Sequence, residues 1–163
     1  MIKGTGTYFT GPVPDTQGLS VIIGNYCGIA NGINFFNTAN HPSARKRDLV
    51  MNYPPEKLGG EYDSVTKVDF TIGSDVWIGK NVILMAGCEI GDGAIIGAHS
   101  VVRGKIPAYA VAFGNPTKVS RYRFSPEIIK RLLKIKWWDW PEETIRDRLN
   151  DFYDINKFVE KYD

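Results

Sequence analysis

Aliphatic residues recur every six positions through the middle of the chain. Ile72, Ile78, Leu84, Ile90, Ile96 and Val102 keep step without a miss, and Gly73, Gly79, Gly91 and Gly97 directly follow four of them. Four residues after each aliphatic comes Val76, Val82, Cys88, Ala94, Ser100 or Ile106, mostly small or β-branched. A shorter run, Ile23, Ile29 and Phe35, has the same spacing, and residues 17–22 form a weaker unit ending in Val21-Ile22. A period of six matches neither the 3.6 of an α-helix nor the two of an alternating strand. It fits a parallel β-helix in which each flat side takes one hexapeptide and the aliphatic residue points inward onto its equivalents in neighbouring coils. The small residue after it suits a corner that needs positive φ or close backbone approach.

The two runs are out of phase, because Phe35 and Ile72 are not separated by a multiple of six. A loop inserted over residues 36–66 therefore interrupts the coil. Long loops inside compact domains are usually functional or disordered. This one carries Asn40-His41-Pro42, the basic stretch Ser43 to Arg47, and Tyr53 and Tyr62, which can line a pocket. His41 is a candidate general base, with a surface or capping histidine as the alternative. His99 lies inside a regular hexad at a position expected to face outward, and reads as structural.

After Gly114-Asn115-Pro116 the pattern changes. Ser125-Pro126-Glu127 has the form of a helix start, with a capping hydroxyl, proline in the first turn and an early acid. Ile128, Ile129, Leu132, Leu133, Ile135 and Trp137 then supply an apolar face. A second helix is expected from Asp139-Trp140-Pro141, with Ile145, Leu149, Phe152 and Tyr153 on one side, and a third segment over 154–162. Trp137, Trp138 and Trp140 either stack on a ligand or pack the helices against the coil; packing is the preferred reading. The expected division is a coil over residues 1–124 with its loop, and a helical extension over 125–163.

Composition narrows the function. Net charge is +2, from 20 Lys and Arg against 18 Asp and Glu, too balanced to argue for nucleic acid or an anionic membrane. Basic residues crowd the stretch after residue 100, which leaves a local anion site or solvated helix faces open. No run approaches the ~18 apolar residues of a membrane span, and Met1-Ile2-Lys3-Gly4 lacks the layout of a signal peptide, so a cytoplasmic location is expected. Cys27 and Cys88 fall where a small buried residue is wanted and read as a reduced pair. No metal-ligand spacing occurs, and no metal is expected.

Together, the hexads, the Asn-His loop, Asp75-Val76-Trp77-Ile78-Gly79, Ile96-Gly97-Ala98-His99-Ser100-Val101-Val102, Gly114-Asn115-Pro116-Thr117-Lys118-Val119 and the Trp-rich helices resemble the hexapeptide-repeat xenobiotic acetyltransferases, which include chloramphenicol and streptogramin acetyltransferases. The resemblance spans roughly residues 17–153. It implies a left-handed parallel β-helix and a homotrimer with acetyl-coenzyme A in a cleft between subunits. It also implies that His41 is the general base for direct attack of an acceptor hydroxyl on the thioester. Trp77, Gly79, Lys80, Gly97 and Ala98 match positions along the cofactor's path, Arg103, Lys118 and Arg121 match positions near its phosphates or adenine, and Asn40, Tyr53 and Tyr62 are expected to meet the acceptor. An antibiotic-like acceptor and a possible role in antibiotic resistance follow; a sugar or polysaccharide acceptor is the alternative within the same chemistry. A non-enzymatic trimeric scaffold is a further alternative, against which His41 and the basic positions argue. The family resemblance is imperfect in its shorter N-terminal region, its basic loop and Gly104.

Overall fold

In the computed structural model of the protein, residues 1–16, 18–36 and 69–163 are described. Among them the strands run β1 (Ile2–Lys3), β2 (Tyr8–Phe9), β3 (Val21–Ile23), β4 (Gly28–Ile29), β5 (Asn34–Phe36), β6 (Phe70–Ile72), β7 (Trp77–Ile78), β8 (Ile83–Met85), β9 (Glu89–Ile90), β10 (Ile95–Ile96), β11 (Val101–Val102), β12 (Lys105–Ile106), β13 (Ala110–Phe113) and β14 (Lys118–Tyr122). They assemble into three sheets. The first has the order β1-β3-β6-β9-β12, the second β14-β13-β10-β7-β4-β2 and the third β11-β8-β5. The chain visits first, second and third sheet in turn, so the sheets are the faces of a three-sided coil. All pairings are parallel except β13 with β14, which closes the second face antiparallel.

The register shows why a hexapeptide is the unit. Trp77 pairs with Ile95 and Ile83 with Val101, 18 positions on, which is three hexads per coil. All six aliphatics of the main run are buried, and so are the residues four places later. Each hexad thus sends two side chains inward, and each fully buried aliphatic contributes roughly 1.5–3 kcal/mol. Val21 pairs with Phe70, 49 positions on in place of 18, so 31 residues beyond a regular coil enter between β5 and β6. Phe36 still belongs to β5, opposite Met85.

At the lower end the spacing tightens. Ile106 pairs with Ile90 and Val111 with Ile95, 16 positions on, with Gly104 at φ 72° making the shortened corner. Ile106 therefore takes the place of the first aliphatic of its hexad and not of the fifth residue. At the upper end the coil starts earlier than the hexads suggest, for β1 and β2 add a turn ahead of β3.

The helices are α1 (Pro126–Ile135), α2 (Glu142–Asp147) and α3 (Ile155–Tyr162). The Ser125 side chain accepts a hydrogen bond from the Ile128 amide, and α1 ends with Lys136 in the left-handed region. The second helix is shorter than its pattern suggests. It stops at Asp147, and Leu149–Tyr153 forms a tighter 3-10 segment. Packing overrides periodicity here: Phe152 is drawn against Trp137 and Phe158 at ring separations of 5.0 and 4.9 Å, while Tyr153 is left 84% exposed. The three tryptophans of the extension are packing residues, with Trp138 buried and Trp140 stacked on Phe158.

Candidate active-site edge

Three corners separate the faces, and each has its own character. The corner between first and second faces, at Asn25, Asp75, Gly93 and Tyr109, carries the helical extension: the Asn25 amide donates to the Trp138 carbonyl, and Tyr26 packs on Trp137. The corner between third and first faces, past Phe36 and again at Arg103, is where the long loop leaves the coil. The corner between second and third faces, at Asn81 and His99, bears no helix among the described residues.

Most residues anticipated as cofactor contacts converge on the second face and this last corner. Trp77, Ile95, Val111 and Arg121 form one row across four strands. One step toward the corner, Gly79, Gly97, Phe113 and Lys118 form the next: the Gly79 amide donates to the Ile96 carbonyl, that of Gly97 to Ala112, and Phe113 pairs with Lys118. Lys80 and Ala98 follow at the corner, exposed beside His99, whose amide donates to the Lys80 carbonyl. Arg103 stands apart, beyond β11. His41, Asn40, Tyr53 and Tyr62 lie outside the described residues.

The glycines have a reason of their own. A Cβ on Gly79 would meet the Ala98 amide nitrogen at 2.6 Å, and one on Gly97 the Phe113 Cβ at 2.7 Å. Close stacking of coils, independent of any ligand, requires glycine at both. Positive φ falls two residues later, at Asp75, Asn81, Gly87, Gly93 and His99.

Charge distinguishes this edge. Lys80, Lys118 and Arg121 are exposed, and among the described residues none of them forms an ion pair. Cations on the first face and on the helices are mostly neutralised, as in Lys105–Glu89 and Lys134–Asp163, each at 2.9 Å. Two flat aromatics, Trp77 and Phe113, each 53% exposed, share the face with these cations. Phe113 was not anticipated. The alternation Ala110-Val111-Ala112-Phe113, with alanines inward, carried the signal. Neither thiol competes for a chemical role, because both are fully buried; burial pushes the Cys88 thiol up to about 12 and raises that of Cys27. Among the described residues no cluster of His, Cys, Asp and Glu could hold a metal, and no helix is long and apolar enough to cross a membrane.

This three-sided parallel coil is the architecture of the hexapeptide-repeat transferases. Residues 71–104 match the family described as bacterial transferase hexapeptide (six repeats). A probable macrolide acetyltransferase of Lysinibacillus sphaericus is 44% identical over 141 residues, covering 81% of this chain and 76% of that protein. A chloramphenicol acetyltransferase of Escherichia coli is 37% identical over 145 residues, covering 84% of this chain and 68% of that one. Among solved structures, a maltose O-acetyltransferase from Clostridium difficile 630 matches with a TM-score of 0.58 and 30% identity, over 76% of this chain and 59% of that chain. The chain belongs to the hexapeptide-repeat xenobiotic acetyltransferase family and is an enzyme of the acetyltransferase class.

Proposed function

We propose that the protein moves an acetyl group from acetyl-coenzyme A to a hydroxyl of an antibiotic-like small molecule, along the edge between its second and third faces. The observation that carries this reading is the set of exposed cations, Lys80, Lys118 and Arg121, which form no ion pair among the described residues. Guanidinium and ammonium groups suit phosphate oxygens, and the exposed Phe113 and Trp77 rings offer flat surfaces for the adenine and the pantetheine arm. Gly97 and Ala98 present backbone along the same path, beside the buried Gly79. Arg103 reaches the cofactor only from the neighbouring corner, and is assigned the weakest contact.

In this reading the coil is left-handed, as family membership implies, against the right-handed habit of parallel crossovers. His41 is the general base. A neutral imidazole with pKa near ~6.5 takes the acceptor's hydroxyl proton. The freed oxygen attacks the thioester carbonyl, the carbon–sulfur bond breaks, and the leaving thiolate takes the proton back. No covalent enzyme intermediate is needed, since the cofactor supplies an activated acyl group. Asn40, Tyr53 and Tyr62 hold the acceptor.

The protein works as a homotrimer. Its loop leaves the coil at one corner and the cationic edge lies at the next, with the third face between them. That face turns Phe36, Ile83, Met85 and Val101 outward. A second copy seated on it covers apolar surface and sets one subunit's loop beside the other's edge.

Likeness to the maltose O-acetyltransferase favours a second reading, in which the hydroxyl is a sugar's. A screen of chloramphenicol, streptogramins, macrolides and sugars for acetyl-coenzyme A–dependent thiol release separates the two. His41→Ala is expected to cost roughly 10²–10⁴-fold in kcat with cofactor binding intact. Turnover near that of the unaltered enzyme would remove His41 from the mechanism.

A further inference from the structure

The chain holds one Asn-Gly pair, Asn31-Gly32, and one Asp-Gly pair, Asp92-Gly93. In such pairs the amide nitrogen of the glycine can attack the side-chain carbonyl carbon before it, since no Cβ crowds the five-membered ring that forms. In a folded chain the attack needs two things: a nitrogen not held in a hydrogen bond, and access for water.

The two pairs differ on both counts. Gly93 is buried, its amide donates to the Ser74 carbonyl at 2.7 Å, and Asp92 Oδ1 accepts from the Ser74 amide at 2.7 Å. Nucleophile and electrophile are both held there. Asn31 and Gly32 are exposed, and among the described residues neither the Asn31 side chain nor the Gly32 amide has a hydrogen-bond partner. The register accounts for the amide. In the two coils below, at the same corner, the Asn81 amide donates up to the Asn31 carbonyl at 3.0 Å and the His99 amide to that of Lys80 at 2.9 Å. Gly32 holds the equivalent position in their stack, but the third sheet begins at β5 and residues 10–12 above it are bends. Glycine is required at this place, for its φ is 77° and a Cβ would collide with Asn81 Oδ1.

We propose that Asn31-Gly32 is a self-modification site, at which Asn31 deamidates through a cyclic imide and sets a carboxylate on the corner above Lys80. The Gly32 nitrogen gives up its proton and bonds to Asn31 Cγ. The Cγ–Nδ2 bond breaks, and ammonia leaves with that proton. Water, the one co-reactant, then opens the imide at either carbonyl and leaves aspartate or isoaspartate. The effect on activity rests on the reading of this edge as the cofactor's path. Residue 31 lies two positions past the Ile29–Ile78 pair, which sets it one coil above Lys80, a spacing of ~4.8 Å. A carboxylate there pairs with the Lys80 ammonium and draws it from the cofactor's phosphates.

The full-length protein is held at mildly alkaline pH and physiological temperature, folded or in urea, and followed by peptide mass spectrometry. The urea sample gives the rate of the sequence alone. In the folded protein, residue 31 should gain about one mass unit at no less than about a tenth of the urea rate, with isoaspartate among the products, while isomerisation of Asp92 slows more than about a hundredfold. Asn31→Gln, which disfavours the five-membered ring, abolishes the gain at that position. Protection of Asn31 by folding as strong as that of Asp92 overturns the proposal. Asn31→Asp, an exposed substitution, reproduces one product: it should raise the KM for acetyl-coenzyme A about 2–5-fold with kcat unchanged, an effect that fades at high salt. An unaltered KM in that variant overturns the effect on the cofactor's path and leaves the modification, read by mass alone, standing.

Discussion

Within each hexad, close approach and backbone strain are assigned to different residues. Where glycine follows the aliphatic, the next coil lies against the place a Cβ would take; at Gly91 an added Cβ would meet the Ala108 nitrogen at 2.5 Å. The residue two further on takes the left-handed conformation, as His99 does at φ 59°. Gly73, Gly79 and Gly91 are therefore needed for close approach, while Met85 and Arg103 keep a Cβ at the equivalent place, and glycine is optional at the second position. Gly91→Ala is expected to lower stability by about 1–3 kcal/mol, because backbone cannot retreat as a side chain can. His99→Gly relieves a left-handed non-glycine residue but adds freedom to the unfolded chain, and so stays within about 1 kcal/mol of the parent. Urea unfolding of both variants checks the pair; equal losses would contradict the division. The inward positions were legible in sequence, since aliphatics at a strict period leave few alternatives. The left-handed positions were not, because Asp75, Asn81, Gly93, His99 and Tyr109 share conformation without sharing chemistry.

Among the elements, β14 has the largest consequence for function. As an antiparallel strand it folds back over β13, which places Lys118 and Arg121 in the rows that begin at Gly79 and Trp77. Sequence separation hides this, for more than thirty residues lie between the first and last members of each row. The convergence of those positions was legible only through family likeness. Strands β1 and β2 were missed for a different reason: Ile2, Thr7 and Phe9 are too few, and too irregularly spaced by their 20-residue coil, to show a period. The placement also ranks the cations. Lys118→Gln with Arg121→Gln should raise the KM for acetyl-coenzyme A about tenfold and flatten its dependence on salt, since two charge-assisted contacts to phosphate are lost. Arg103→Gln, at the other corner, should change it less than threefold. Initial rates at low and high ionic strength decide this; an Arg103 effect as large as the double variant's would move the phosphate site off the second face.

At the scale of the whole molecule, two hydrophobic cores meet at one corner. The coil core runs from Leu19 to Ala112, and a separate aromatic cluster of Tyr109, Leu132, Trp138, Phe158 and Val159 joins the helices to it. The two cores respond to acid in opposite ways. In the extension, Lys134 and Arg131 hold the Asp163 carboxyl below its usual value, the Tyr162 hydroxyl and Lys161 do the same for Asp151, and the Lys157 amide does so for Asp154 at the start of α3. Depressed carboxylates contribute stability that is present above their ordinary value of ~4 and is lost as the pH falls through the depressed one. At the corner, burial raises Asp75 despite the Arg123 guanidinium beside it. A raised carboxyl contributes stability present at low pH and lost as the pH rises through its folded value, so acid does not weaken that position. The extension should therefore loosen first as the pH falls below the ordinary carboxylate value of ~4, while the coil persists. With Trp77→Phe, the remaining tryptophans all lie in the extension, and their emission should shift to the red before the far-ultraviolet signal of the coil is lost. Asp163→Asn should weaken the extension at neutral pH and shrink its acid response, because one of the titrating pairs is already gone. Coincident loss of both signals in a single transition would mean that coil and extension unfold as one unit and that the corner contact, through Asn25 and Trp138, couples them more tightly than the separate cores suggest.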